Sequence, residues 1–129
     1  MQSKIISFTV LLALVLTTSC VQETHVKEIH FQVDTGSDES IGAVGIRGSL
    51  PPLSWNETIE LSDPDGDGIF TGKVLVDTGH SSMSFKFVAE DGSYELANQN
   101  NRNLEFEYQP QVIRYSTIWN NPEATVVVE

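Results

Sequence analysis

The chain has 129 residues and a formal net charge of −11, with 18 acidic residues against 7 lysines and arginines. A surface this acidic repels nucleic acid and anionic lipid headgroups and suits a neutral ligand. The single cysteine, Cys20, has no partner for an internal disulfide, so apolar packing alone must hold the core. The length fits one domain with a modest core.

The N-terminus, up to Cys20, resembles the signal of a bacterial lipoprotein. Lys4 precedes an almost unbroken apolar run from Ile5 to Leu16, which is typical of a signal peptide and too short to span a membrane. Small residues at 17–19 then precede Cys20, as in the lipobox, where the cysteine receives a diacylglycerol. A plain secretory signal followed by an incidental cysteine is the alternative. The resemblance implies a lipid anchor on Cys20 and a place in the bacterial cell envelope, at the outer membrane or the cell surface.

This interpretation divides the chain into three parts. Residues 1–19 are the signal peptide, residues 20–25 are the lipidated cysteine with a short tether, and residues 26–129 are the folded domain. Cleavage removes one charged residue, Lys4, so the formal charge of −11 becomes −12 in the mature chain.

After the tether, apolar and polar residues alternate with a period of two, and no segment has helical spacing. This alternation predicts half-buried antiparallel strands. The predicted strands cover residues 29–33, 44–48, 70–76, 83–88, 104–108, 113–117 and 126–128. Seven or eight short strands in a domain of this size predict an all-β fold, an antiparallel β-sandwich of immunoglobulin-like type.

Turn-forming residues separate the predicted strands. Gly, Pro, Asp and Ser cluster at residues 35–37, 51–52, 65–68, 78–79 and 91–93. The clearest turn is Glu90-Asp91-Gly92-Ser93, which lies between Phe87 and Tyr94 and predicts a hairpin.

The segment from Asp63 to Gly68 has the spacing of the first half of a calcium loop. Asp63, Asp65 and Asp67 alternate, and Gly68 takes the sixth position, where such loops need a glycine. The twelfth position, which should supply a bidentate Glu, is Val74 inside a predicted strand. We interpret the segment as a polar connection between strands, with a calcium site as the weaker alternative and no other cofactor expected.

Residues suited to catalysis are scarce. Cys20 is assigned to the lipid, and Ser49 lacks the second glycine of a nucleophile elbow. His25, His30 and His80 have no metal-ligand spacing, and His30 and His80 are expected on the surface. A domain this small also has little room for a deep cleft between two carboxylates. The sequence therefore predicts no catalytic residue and a protein that is not an enzyme.

Five residues have the chemistry of a sugar-binding surface: Trp55, Lys86, Tyr94, Glu95 and Asn101. Lys86 lies between Phe85 and Phe87, so it faces out if both phenylalanines face the core. Trp55 lies in a loop after two prolines, and Tyr94 follows the hairpin turn. Aromatic rings stack on the apolar face of a pyranose while amides and charged groups bond its hydroxyls. The alternative is that Trp55 closes one end of the sandwich and Lys86 is an ordinary surface lysine.

These residues lie in segments that resemble the starch-binding domains of carbohydrate-binding module family 20. Gly48-Ser-Leu-Pro-Pro-Leu-Ser-Trp55 is similar to the Gly-Ser-x-Pro-x-Leu-Gly-x-Trp segment of that family. Four shorter matches follow in the same order: Leu61-Ser62, Phe85-Lys86-Phe87, Asp91-Gly92-Ser93-Tyr94-Glu95 and Asn101-Arg102. The match extends from Val26 to about Phe106, and the related glycogen-binding modules share the fold.

The resemblance implies two stacking platforms and three residues that bond sugar hydroxyls: Trp55 and Tyr94, then Lys86, Glu95 and Asn101. Tyr94 replaces a larger tryptophan, and the loop before Asn101 is longer than usual, so Asn98 or Asn100 could take its role. The implied function is non-catalytic binding of starch, glycogen or maltooligosaccharides by a membrane-anchored lipoprotein. The alternative is an accessory or protein-interaction domain that has lost its sugar site, such as a remnant of a larger hydrolase.

Overall fold

The computed structural model describes residues 22–129, so the predicted signal peptide and the predicted lipidation site, Cys20, lie outside the described residues. Within that range no segment is helical, and no helix is long and apolar enough to cross a membrane. The strands are β1 (His25–Asp34), β2 (Gly45–Gly48), β3 (Ile59–Glu60), β4 (Ile69–Thr78), β5 (Ser82–Val88), β6 (Arg102–Glu105), β7 (Gln111–Ile118) and β8 (Ala124–Val128). The predicted all-β class is confirmed.

The strands form two four-stranded sheets that make a sandwich. The first sheet has the order β4-β1-β7-β8 and the second has the order β3-β2-β5-β6. Paired strands are antiparallel except for β1 and β7, which run parallel from Lys27 opposite Gln111 to Asp34 opposite Ile118. A parallel pair needs a crossover connection, and here the chain between β1 and β7 builds most of the rest of the sandwich. The expectation of a purely antiparallel sandwich is corrected at this one pair.

The core lies between the inner faces of the two sheets, as the alternation of the strands requires. Phe31 of β1 meets Phe85 of β5 edge to face, with ring centroids 5.1 Å apart, and Phe85 meets Tyr115 of β7 at 5.0 Å. Each of these rings is at most 3% exposed. Complete burial of such a side chain contributes about 1.5–3 kcal/mol, so the aromatic cluster fixes how the sheets face each other.

The start of the domain differs from the predicted boundary at residue 26. β1 begins at His25, inside the predicted tether, and the His25 ring packs edge-on against Tyr108 with centroids 4.7 Å apart. The Tyr108 hydroxyl donates a hydrogen bond to the Glu23 carbonyl oxygen (2.9 Å). Residues 23–25 are therefore attached to the sandwich. Tyr108 itself lies beyond the end of β6 at Glu105, so its predicted place in a strand is wrong.

Candidate functional site

The predicted hairpin turn at residues 90–93 is confirmed. Gly92 has a φ of +87°, which favours glycine, and its N–H donates to the carbonyl oxygen of Ala89 (3.0 Å). Tyr94 then pairs with Val88 in a single bridge, after which the chain leaves the sheet instead of forming a second long strand. The segment from 95 to 101 crosses the outer face of β5 and leads to β6.

Lys86 lies beneath this crossing segment. It faces away from the core as its position between Phe85 and Phe87 indicates, but it is only 8% exposed. Its ammonium donates to the carbonyl oxygens of Leu96 and Gln99, both at 3.0 Å. The expectation that Lys86 is a solvent-facing, hydroxyl-bonding residue is therefore wrong. The physical reason is that the segment 95–101 covers the outer face of β5, and its carbonyl oxygens accept the hydrogen bonds of the Lys86 ammonium.

Glu95 is buried in an ion pair with Arg102. The residue is 1% exposed, and its two carboxylate oxygens accept hydrogen bonds from Arg102 Nε (2.6 Å) and Nη2 (2.8 Å). Backbone N–H groups of Phe87 (3.0 Å) and Asn120 (3.2 Å) complete four contacts. The expectation that Glu95 bonds sugar hydroxyls is wrong, because its acceptor sites are occupied and shielded from solvent.

Arg102 extends this buried network towards the first sheet. It donates to the Tyr115 hydroxyl (3.2 Å), to Thr117 Oγ1 (3.0 Å) and to the Asn121 carbonyl oxygen (2.7 Å). Burial alone would lower the pKa of Arg102, but the hydrogen bond and charge of Glu95 outweigh burial and raise it. Arg102 is therefore a permanently charged tie between the sheets at the end of the sandwich.

Tyr115 gives this network a pH dependence. Burial raises the pKa of its phenol above the usual value of 10.0, although Arg102 opposes the shift. The native state thus holds the proton more tightly than the unfolded chain, so this stabilisation is complete below pH 10.0 and is lost as the pH rises through the raised pKa.

The Tyr115→Phe variant tests this pH dependence. We measure the free energy of unfolding by urea denaturation below and above pH 10.0, and we expect it to fall less on going to alkaline pH in Tyr115→Phe than in wild type. Tyr108→Phe, at an exposed tyrosine, should behave as wild type; equal losses in all three proteins would contradict the assignment.

Trp55 and Tyr94 come together at the surface from two separate loops. Their ring centroids are 6.3 Å apart and their planes are tilted by 56°. Tyr94 is 37% exposed and Trp55 is half-buried, and the Tyr94 hydroxyl donates to the Trp55 carbonyl oxygen (3.3 Å). The loop that carries Trp55 is anchored by Leu53, which is buried in the core. The structure therefore places both predicted platforms side by side.

Arg47 organises the two aromatic residues, and the sequence reasoning missed it. It lies on β2 directly opposite Lys86 and donates to Thr58 Oγ1 (2.8 Å), the Trp55 carbonyl oxygen (3.3 Å) and the Tyr94 hydroxyl (3.2 Å). Its guanidinium carbon lies 5.7 Å from the centre of the Tyr94 ring, within cation–π range. The signal in the sequence was slight, a polar residue between Ile46 and Gly48.

Asn101 is exposed but lies on a different feature from the aromatic pair. It lines a hollow of about 400 Å³ between the crossing segment and the turn after β7, together with Leu96, Asn98, Gln99, Asn100, Arg102 and Pro122. Asn98 and Asn100, the two predicted substitutes for Asn101, line the same hollow. Four consecutive amide side chains thus offer donors and acceptors to a polar ligand, although the aromatic pair does not line this hollow.

The three aspartates of the calcium-like segment also converge. Their carboxylate oxygens lie within 4.8 Å of one another. Asp63 accepts a hydrogen bond from the Gly68 N–H (2.9 Å), and Asp67 accepts one from the Ile69 N–H (3.0 Å). Burial raises the pKa of Asp63, but the bonds from Gly68 and the neighbouring carboxyls outweigh it and lower the pKa. A polar turn before β4 accounts for these bonds, and the calcium alternative stays a prediction.

Comparison with known proteins gives a similarity of fold. No protein-family profile and no curated protein match the sequence. Among solved structures, the chain is similar to the CBM25-2 module of the β/α-amylase from Paenibacillus polymyxa, which was determined in solution. The two are 12% identical with a TM-score of 0.48, over 81% of this chain and 94% of that module. At this identity the likeness concerns the fold alone, and membership of carbohydrate-binding family 20 stays a prediction.

Proposed function

We propose that the sandwich is a non-catalytic carbohydrate-binding domain whose ligand is an α-glucan such as starch, glycogen or a maltooligosaccharide. The observation that carries the proposal is that Trp55 and Tyr94 meet at the surface. An aromatic pair that Arg47 already holds in place loses little freedom when a ligand stacks on it. The domain therefore has a prepared apolar platform beside polar groups, which is the combination that a pyranose requires.

The tilt between the rings supports an α-glucan over a flat β-glucan. Successive residues of an α-1,4-linked chain turn relative to one another, so they present their apolar faces at an angle. Two platforms inclined by 56° can stack on two such faces, whereas a flat ribbon needs nearly parallel rings. Because Lys86 and Glu95 are buried, Arg47 is the polar side chain at the aromatic pair that can bond a sugar hydroxyl, and the affinity of one such site should be weak.

Affinity electrophoresis tests the proposal directly. The domain should be retarded in a native gel that contains soluble starch and should migrate normally in a gel that contains hydroxyethyl cellulose. Addition of EDTA should leave the retardation unchanged, because no part of the proposed platform uses a metal. Normal migration in starch would reject α-glucan binding, and equal retardation in both gels would reject the preference for a curved chain.

The lipid anchor completes the proposal. A domain that binds a polysaccharide without cleaving it retains that polysaccharide wherever the domain is held. An anchor on Cys20 would therefore hold the polysaccharide at the bacterial envelope. We expect the protein isolated from membranes to have an intact mass that corresponds to loss of residues 1–19 and addition of a diacylglycerol. The Cys20→Ser variant should lack this mass and should leave the membrane fraction. A mature wild-type protein without an acyl mass would reject the anchor but not the sugar site.

A second candidate function, binding of another protein, is favoured by the edge strand β8. Every residue of β8 is exposed, and Val126, Val127 and Val128 are about half exposed at 46%, 50% and 53%. An apolar edge strand can pair with another chain. Recovery of a specific envelope protein in a pull-down, together with normal migration in starch, would select this function over glucan binding.

A further inference from the structure

The outer face of the first sheet carries a row of basic side chains that the proposed glucan site does not use. In the strand register His30 of β1 lies opposite Lys73 of β4 on one side and opposite Arg114 of β7 on the other. Since neighbouring strands are about 4.8 Å apart, the Cα atoms of Lys73 and Arg114 are separated by roughly 10 Å, with His30 on the strand between them. We call these three residues the basic row.

The basic row concentrates the exposed positive charge of the domain. Residues 22–129 contain six lysines and arginines, and three of them, Lys27, Lys86 and Arg102, are buried. Arg47 belongs to the aromatic pair. The remaining two, Lys73 and Arg114, both lie in the row. On a chain that is otherwise strongly acidic, the strand register places two exposed cationic side chains on the outer face of the same sheet, beside the carboxylates of Glu28 and Glu129.

The row has unused hydrogen-bond donors. Within the described residues Lys73 makes no side-chain hydrogen bond or ion pair. Arg114 uses its Nε for Glu129 (2.5 Å), and its terminal nitrogens make no such bond to any residue from 22 to 129. His30 Nε2 is paired with Glu28 Oε2 at 3.0 Å. The ammonium and one edge of the guanidinium are therefore available to a ligand.

The neighbouring row adds groups that suit hydroxyls. Gln32 lies opposite Thr71 and Ser116 in the same register, one step along the strands from the basic row. The six side chains of the two rows line one open hollow of about 360 Å³. Amide and hydroxyl groups can each donate and accept, as sugar hydroxyls require.

We propose that this hollow is a second binding site, for a sugar that carries a carboxylate, that is, a uronate residue of a polysaccharide. The carboxylate would lie between Lys73 and Arg114, where charge-assisted hydrogen bonds form to both. The sugar hydroxyls would bond to Gln32, Thr71 and Ser116. This site lies on the first sheet and is independent of the aromatic pair on the second.

The existing carboxylate of Glu28 shows what the basic row does to an anion beside it. The hydrogen bond from His30 lowers the pKa of Glu28, and the charges of His30, Lys73 and Arg114 lower it further. The carboxylates of Glu28 and Glu129 already pair with His30 and Arg114, so they compete with the carboxylate of a ligand for the basic row. At physiological ionic strength the Debye length is about 8 Å, so more distant acidic residues are largely screened from an anion held here.

A matched pair of small sugars tests the site by NMR titration of the labelled domain. Methyl glucuronoside and methyl glucoside differ only at one carbon, where a carboxylate replaces a hydroxymethyl group. The glucuronoside should shift the amide signals of His30, Lys73 and Arg114, and the glucoside should leave them unmoved. The double variant Lys73→Gln/Arg114→Gln should weaken glucuronoside binding by roughly tenfold or more, since each charge-assisted bond is stronger than a neutral one.

Two further variants separate the two sites and the competing anion. Arg47→Gln removes a half-buried cation at the aromatic pair, so it should leave glucuronoside binding unchanged while weakening glucan binding. Glu28→Gln should strengthen glucuronoside binding a few-fold because it removes a competing carboxylate. Absence of shifts on the first sheet, or equal shifts with acetate at the same concentration, would overturn the uronate site. Neither result would bear on retardation in starch, which tests Trp55 and Tyr94.

Discussion

Replacing Glu95 with alanine should lower the free energy of unfolding by about 3–5 kcal/mol, because it leaves the Arg102 guanidinium buried without its counter-ion. Two further donors, the N–H groups of Phe87 and Asn120, would lose their acceptor in the same step. For a domain of this size such a loss corresponds to a drop in Tm of roughly 12–20 °C. Glu95 is the residue whose truncation we expect to damage the fold most.

Urea denaturation followed by tryptophan fluorescence measures the effect. Glu105→Ala is the matched control, since Glu105 is an exposed carboxylate on β6 and its loss should change the free energy of unfolding by less than about 0.5 kcal/mol. Glu95→Gln should fall between the two because the amide oxygen can still accept from Arg102. A Glu95→Ala protein as stable as Glu105→Ala would show that Arg102 does not need its partner and would refute the tie between the sheets.

The burial of Lys86 and Glu95 could not be predicted from the sequence. Strand alternation predicted correctly that Lys86 faces away from Phe85 and Phe87, because a period of two fixes the face of a side chain. It could not predict that residues 95–101 would cover that face. A covering loop is a tertiary contact with no periodicity, so burial of Lys86 and Glu95 left no local signal in the sequence.

The strands themselves were predictable because each carries its own local pattern. β1 and β5 each have three alternating apolar residues, β7 has two followed by a threonine, and all three strands were found. β3 was missed, since two residues are too few to show an alternation. The parallel pairing of β1 with β7 could not be inferred either, because the alternation of a strand carries no information about the direction of its neighbour.

Two residues of the candidate site, Trp55 and Tyr94, could be predicted from the sequence, whereas Arg47 could not. Trp55 and Tyr94 were chosen because large aromatic residues in loops lack a periodic reason for burial, and the structure brings them together. Arg47 was overlooked because its role depends on the register of β2 against β5, which places it beside Lys86. The same dependence hid the basic row, since Lys73, His30 and Arg114 are far apart in the chain and meet only through strand pairing.

Replacing Trp55 with alanine should abolish retardation in starch while the domain stays folded. The Trp55 indole is half-buried, and it meets Tyr94 at the surface, outside the hydrophobic core of the sandwich. Loss of a tryptophan at the centre of a binding surface commonly weakens binding by about 2 kcal/mol or more, which is roughly 30-fold in affinity. A site that binds weakly in wild type would then fall below detection.

Two matched variants make this result specific. Tyr108→Ala removes an exposed aromatic ring between β6 and β7, outside the aromatic pair, and should leave retardation in starch unchanged. Tyr94→Phe keeps the stacking ring but removes the hydroxyl that joins it to Arg47 and to the Trp55 carbonyl oxygen, so it should weaken binding only several-fold. If Trp55→Ala binds starch as wild type does, the platform is elsewhere, and the amide-lined hollow at Asn101 becomes the surface to test by Asn101→Ala.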